Sequence, residues 1–195
     1  MLDPLRRRLT FWTPGLVLLG CLGGFGASAS ADEDDWQIAG RLGVASVVAD
    51  GRSPLGAGLG TDVQYGINDT FSARLSLSGG FQSVSTDAGK QLPGGSIWSY
   101  GAFAGLGYTM DVLRLLPTFE AGIGVLGFGG AVKKSHLAMG TQLGIGADYL
   151  LTPRFSIGAT AQYVFAPFDL LSHVLTGEQV PQAFAFSARA TWTLR

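Results

Sequence analysis

The chain has 195 residues, 30 of them glycine, one cysteine and a formal net charge of −1. Charged residues make up 14% and hydrophobic residues 47%, against about 25% charged in an ordinary soluble domain; this excludes a disordered chain, which needs high charge and few apolar groups. Thirteen basic against fourteen acidic residues leave no electrostatic footprint for nucleic acid, and so apolar and glycine-rich a chain of one-domain length points to lipid as part of its solvent.

Residues 1–31 read as a secretory signal peptide. Arg6, Arg7 and Arg8 form a basic start, no charge follows from Leu9 to Ala31, and Ala27-Ser28-Ala29 and Ala29-Ser30-Ala31 offer small residues for cleavage before Ser30 or Asp32. A membrane-anchoring helix is the alternative, weakened by Pro14 and the clustered glycines from Gly15 to Gly26. The twin-arginine route is supported only by Leu9 after Arg6-Arg7, which favours Sec export. Leu18-Leu19-Gly20-Cys21 resembles a lipoprotein box, in which Cys21 would be acylated. Cleavage before Asp32 leaves a mature chain, 32–195, without cysteine, as suits an oxidising periplasm.

From Trp36 onward the apolar residues recur with a period of two, the mark of a half-buried strand. Eight runs follow in order: 36–49, 55–67, 71–83, 96–110, 117–127, 136–150, 155–165 and 182–194. Each is long enough to cross a bilayer as a tilted strand, which takes about 9–11 residues. Connections Ile67–Thr70, Asp111–Leu116 and Leu151–Arg154 are short, whereas Ser85–Gly95 and Ala166–Pro181 are long, with Asp50–Pro54 and Phe128–Ser135 between. Short turns on one side and longer loops on the other fit an eight-stranded antiparallel transmembrane up-and-down barrel.

Charge placement assigns the faces. Within the runs the charged residues are Arg41, Asp62, Arg74, Glu120, Asp148 and Arg189, and all six share the small, polar parity. They therefore point into the lumen, while the bulky apolar residues face lipid. Trp36, Tyr65, Phe71, Tyr108, Phe119, Tyr149, Phe155 and Trp192 fall one per strand at one end, all on the apolar parity, as a periplasmic aromatic girdle. A patchier belt of Phe81, Trp98, Tyr100, Tyr163, Phe165, Phe184 and Phe186 marks the other end.

The run Asp148-Tyr149-Leu150-Leu151-Thr152-Pro153-Arg154-Phe155-Ser156-Ile157-Gly158 resembles the last periplasmic turn of small bacterial outer-membrane barrels. In length and strand count the mature chain is similar to the OmpA/OmpX/OmpW-like group. That resemblance implies an outer-membrane location, contact with outer-membrane lipid and lipopolysaccharide, and periplasmic termini. Such barrels usually end on an aromatic residue read by the assembly machinery. Here Trp192-Thr193-Leu194 is followed by Arg195, so Trp192 and Leu194 would serve as a shifted signal.

Chemistry for catalysis is sparse. Gly122-Ile123-Gly124-Val125-Leu126-Gly127 matches G-x-G-x-x-G, but no helical pattern follows, and a dinucleotide site needs a helix N-terminus at that turn. The two histidines, His136 and His173, are too few and too scattered for a metal site. Ser172, His173 and Glu178 could form a hydrolase constellation like that of lipid A deacylases, yet the His-x-Ser spacing of those enzymes is absent. No cofactor, metal ligand set or catalytic residue is expected.

The three positive and three negative lumen residues balance. A hairpin register symmetric about Asn68 would set Asp62 opposite Arg74, and one symmetric about Lys134 would set Glu120 beside Asp148. Arg41 and Arg189, on adjacent strands, would then bridge the lumen to Glu120 and Asp148, with Gln142 and Gln162 filling the remaining hydrogen bonds. The alternative is a wet lumen lined by glycines such as Gly56, Gly58, Gly60, Gly101 and Gly144. The function expected first is a non-enzymatic barrel with a plugged lumen and partner-facing loops, 84–95 and 166–181, the latter made apolar by Phe168, Leu170, Leu171, Val174 and Leu175. A narrow channel for small or apolar solutes, and a lipid A-modifying hydrolase, are the alternatives.

Overall fold

A computed structural model describes residues 34–48, 53–86, 94–132, 136–167 and 182–194. The expected leader with Cys21, the candidates Ser172, His173 and Glu178, most of the two long loops and the terminal Arg195 lie outside these residues. Eight antiparallel strands form one closed barrel in sequence order: β1 Trp36–Val48, β2 Leu55–Gly66, β3 Phe71–Val84, β4 Gly95–Thr109, β5 Leu115–Gly130, β6 His136–Thr152, β7 Phe155–Phe165 and β8 Gln182–Leu194. β1 closes on β8 from Trp36 against Leu194 to Val48 against Gln182, so no edge is left unpaired.

The period-two pattern becomes two faces. On β1, Ala39, Arg41, Ala45 and Val47 are buried, whereas Trp36, Ile38, Leu42 and Val44 are exposed. Leu42 is 69% and Leu59 68% exposed at mid-strand, which only a lipid-facing surface tolerates on this scale. Inverted in this way, the barrel keeps its backbone polar groups paired within the sheet, as a hydrocarbon solvent demands.

The turns set the registers, and two registers differ from the sequence expectation. At β2–β3, Asn68 Oδ1 accepts hydrogen bonds from the backbone N–H groups of Thr70 (2.9 Å) and Phe71 (2.8 Å). This Asx-type turn carries the reversal past Asn68, so Arg74 opposes Gln64 and Asp62 opposes Ser76. At β5–β6, Glu120 opposes Gly144, and Asp148 opposes Leu116 rather than lying beside Glu120. Both departures are even-numbered slips, which keep every side chain on its expected face.

β5 also runs further than expected, to Gly130. Phe128, placed by sequence in a connection, pairs with Ser99 and His136 and is buried in the lumen. Opposite Trp98, a Cβ on Gly129 would stand 2.2 Å from the indole ring. Only glycine lets that ring lie flat on the neighbouring strand. The strand ends at Gly130, whose φ of +91° is poorly tolerated by other residues. At the opposite end of β5, Val112 and Leu115 exchange backbone hydrogen bonds of 3.1 Å around a tight turn in which Leu113 takes φ +64°.

Candidate functional site

The rim carrying Trp36 and Leu194 is called here the terminal rim, and the opposite one the loop rim. At the terminal rim the eight aromatic residues named from sequence stand one per strand on the outer face. Trp36, Phe71, Phe119, Tyr149 and Trp192 are exposed; Tyr65, Tyr108 and Phe155 are half-buried. Several touch across strand pairs: Trp36–Tyr65 at 5.1 Å, Phe71–Tyr108 at 5.3 Å, Tyr108–Phe119 at 6.4 Å and Phe155–Trp192 at 5.9 Å between ring centroids. These separations lie in the range where tilted aromatic pairs attract. Tyr65 donates from its hydroxyl to Asp34 Oδ1 at 2.5 Å, tying the segment before β1 to β2.

Inside the barrel, all six charged side chains are buried, Asp62 completely. They form one chain of alternating sign. Arg41 Nε lies 2.9 Å and Arg74 Nη2 2.7 Å from Asp62 Oδ2. Arg74 continues to Glu120 through Nη1 and Oε1, and Glu120 Oε1 lies 2.9 Å from Arg189 Nη1. Arg189 ends the chain as a fork on Asp148, with Nε on Oδ1 at 3.1 Å and Nη2 on Oδ2. Arg74 and Arg189 thus each touch two carboxylates, whereas Arg41 touches one, Asp62.

Gln162 turns the chain into a ring. Its Oε1 accepts from Arg41 Nη1, and its Nε2 donates to Glu120 Oε2 at 3.2 Å. Arg41 Nη2 also donates to Ser76 Oγ at 2.8 Å. The planar guanidinium fork suits such shared carboxylates better than a lysine ammonium would. Room for the network comes from glycine: a Cβ on Gly144 would stand 2.7 Å from Glu120 Oε2, and one on Gly60 2.9 Å from Arg41 Nη2.

The partners differ in part from those expected. Arg189 reaches Glu120 and Asp148, but Arg41 does not cross to them. It engages Asp62 on the adjacent strand instead, because the β1–β2 register sets Asp62 opposite Ala39, two residues from Arg41, while Arg74 still reaches the same carboxylate after the β2–β3 slip. Asp62 and Arg74 meet diagonally rather than as opposed residues. Gln142 is buried in the lumen, as the sequence parity requires.

The sequence reading missed a second inward set. Val47, Phe103, Leu126, Phe128 and Val164 form a buried apolar cluster inside the loop-rim half of the lumen, and Ile97 is fully buried on the same face. Their signal was present as parity: each stands an even number of residues from a lumen-facing neighbour on its strand. Among bulky outward residues of the same types, that parity is easily passed over. Elsewhere in the described residues, no group of three or more His, Cys, Asp or Glu side chains gathers as a metal site.

No curated protein matches the chain in sequence. Among solved structures it is similar to Neisserial surface protein A at 16% identity, with 80% of this chain and 96% of that one covered and a TM-score of 0.59. It is also similar to the outer membrane protein OprG of Pseudomonas aeruginosa, at 13% identity, 87% and 100% coverage and a TM-score of 0.60. The outer membrane enzyme PagL aligns at 16% identity, 80% and 98% coverage and a TM-score of 0.50. At these identities the likeness is one of fold. The family model described as the outer membrane protein beta-barrel domain matches residues 17–188, and with its closed eight-stranded barrel and lipid-facing apolar surface the chain belongs to that family of bacterial outer-membrane barrels.

Proposed function

We propose that this protein is a non-enzymatic outer-membrane barrel whose lumen is plugged by its own side chains and whose external loops meet partners. The observation that carries the reading is the continuous chain Arg41–Asp62–Arg74–Glu120–Arg189–Asp148, neutral overall and buried. An eight-stranded barrel leaves an interior just wide enough for side chains to fill. An ion entering this one would have to displace charge pairs that are each other's solvation, at a cost of several kcal/mol for every pair broken.

In this reading the terminal rim is periplasmic, because the short turns and the fuller aromatic belt lie there. Residues 1–31 act as the leader for Sec export. Loops 84–95 and 166–181 face outward, towards lipopolysaccharide and an extracellular partner. The test is single-channel conductance of residues 32–195 refolded into a planar bilayer, with insertion verified by heat-modifiable gel mobility. A silent bilayer supports the plug, and discrete reproducible steps overturn it.

A narrow channel is the second reading. It is favoured by gaps left along the lumen by small residues, among them a cavity of about 50 Å³ beside Arg41, Gly58, Gly60 and Ser78. The same recording decides between the two. The hydrolase alternative, resting on Ser172, His173 and Glu178, is tested by mass spectrometry of lipid A from cells with and without the protein. An unchanged acyl pattern rejects it.

A further inference from the structure

We infer that the lumen is closed twice, by an ionic layer near the terminal rim and an apolar layer towards the loop rim, with a small hydrated chamber between them. This deepens the plugged-lumen reading and rests on it. The layering follows from strand position. Glu120 and Asp148 adjoin the girdle residues Phe119 and Tyr149, and Asp62, Arg74 and Arg189 lie a few residues further in. Val47, Ile97, Phe128 and Val164 sit near the loop-rim ends of β1, β4, β5 and β7, with Phe103 and Leu126 beneath them.

The apolar layer joins neighbouring strands β4 to β7, and Val47 of β1 meets it from the far wall. A Cβ on Gly140 would meet Phe103 Cε1 at 3.3 Å, Val164 Cγ1 at 3.5 Å and Leu126 Cβ at 3.6 Å. Side chains from β4, β5 and β7 therefore converge where β6 supplies no side chain of its own. Between this roof and the ionic floor lies the cavity of about 50 Å³, with Arg41 and Gln162 below, Ser78 and Ser99 beside, and Val47 and Val164 above. That is room for a few waters, at roughly 10–15 Å³ each on the same measure.

Polar groups where the chamber meets the roof call for such water, since Gln82 stands opposite Ile97. Gln82 is fully buried, and neither its amide nitrogen nor its amide oxygen has a hydrogen-bond partner in the protein. Its Nε2 lies 2.8 Å, and Ser99 Oγ 2.7 Å, from the place a Cβ on Gly80 would occupy in the chamber wall. A buried amide left dry is costly.

The two layers stop ions by different physics. The ionic layer fills the pore with charges that already solvate one another. The apolar layer offers no replacement for an ion's hydration shell and excludes water by dewetting. Opening the first must therefore leave the second shut.

The test records conductance of four proteins purified from membranes. These are the unsubstituted barrel; Arg74→Ala with Glu120→Ala, which removes one cation and one anion; Phe103→Ala with Phe128→Ala; and all four changes together. The first three are expected to be silent and the fourth to give discrete steps. Steps from either pairwise variant alone, or silence from the folded fourfold variant, overturn the double closure. Steps from the unsubstituted barrel overturn the plugged reading itself.

Should the fourfold variant fail to fold, Ser78→Cys in the Arg74→Ala, Glu120→Ala barrel replaces it, with Cys21→Ser added. A small cationic methanethiosulfonate reagent, applied to oriented vesicles, is expected to modify Cys at least tenfold faster from the terminal-rim side. Equal rates from both sides overturn the proposal.

Discussion

Arg189→Ala tests the lumen network most directly. Arg189 is the ion-pair partner of Asp148 within the described residues and shares Glu120 with Arg74. Its loss leaves Asp148, only 4% exposed, as a buried carboxylate without its cation, whereas Glu120 keeps Arg74 and Gln162. Breaking a buried pair by removing one partner costs about 3–5 kcal/mol. Arg41 opposes Arg189 in the β1–β8 register, so like-charge repulsion is relieved at the same time and the lower end, about 3 kcal/mol, is expected. That is roughly a hundredfold in the unfolding equilibrium at about 1.4 kcal/mol per decade.

The assay is urea unfolding of the barrel in lipid vesicles, followed by tryptophan fluorescence. The double variant Arg189→Ala, Asp148→Ala removes the stranded charge, and should be more stable than Arg189→Ala alone by about 1 kcal/mol or more. A change below about 1 kcal/mol for Arg189→Ala, or a double variant less stable than the single one, would refute the reasoning. Either result would mean that water, not Arg189, solvates Asp148.

Leu42→Arg places a charge at mid-strand on the exposed face, where about 2–4 kcal/mol of destabilisation in vesicles is expected from lipid contact; no change would contradict the face assignment. Phe103→Ala empties the centre of the apolar cluster and should cost about 3 kcal/mol in the same unfolding assay. Gly105→Ala would set a Cβ 2.0 Å from the Ala121 carbonyl oxygen and 2.5 Å from Gly122 Cα, so β4 and β5 must part, and a loss of about 1–3 kcal/mol is expected. Gly40→Ala is its control, since a Cβ there meets nothing within 4 Å and stability should hold within about 0.5 kcal/mol.

The number of strands, their order and the face of each charged and girdle residue were legible in the amino-acid sequence. These properties are local: a strand alternates sides every residue, and a charge such as Glu120 between Phe119 and Ala121 declares its face without reference to any other strand. The aromatic positions at strand ends were legible for the same reason. Neighbourhood within the lumen was not. A turn can lengthen by two residues without moving any side chain to the other face, and the Asn68 turn did so, setting Arg74 opposite Gln64 so that it meets Asp62 only diagonally, while the β1–β2 register brings Arg41 to the same carboxylate. Which arginine meets which carboxylate depends on these slips and on the stagger that barrel closure imposes on all eight strands. The apolar layer belongs to the same class of property. Phe103, Leu126 and Val164 come from three strands, and only the closed barrel sets them against one another across Gly140.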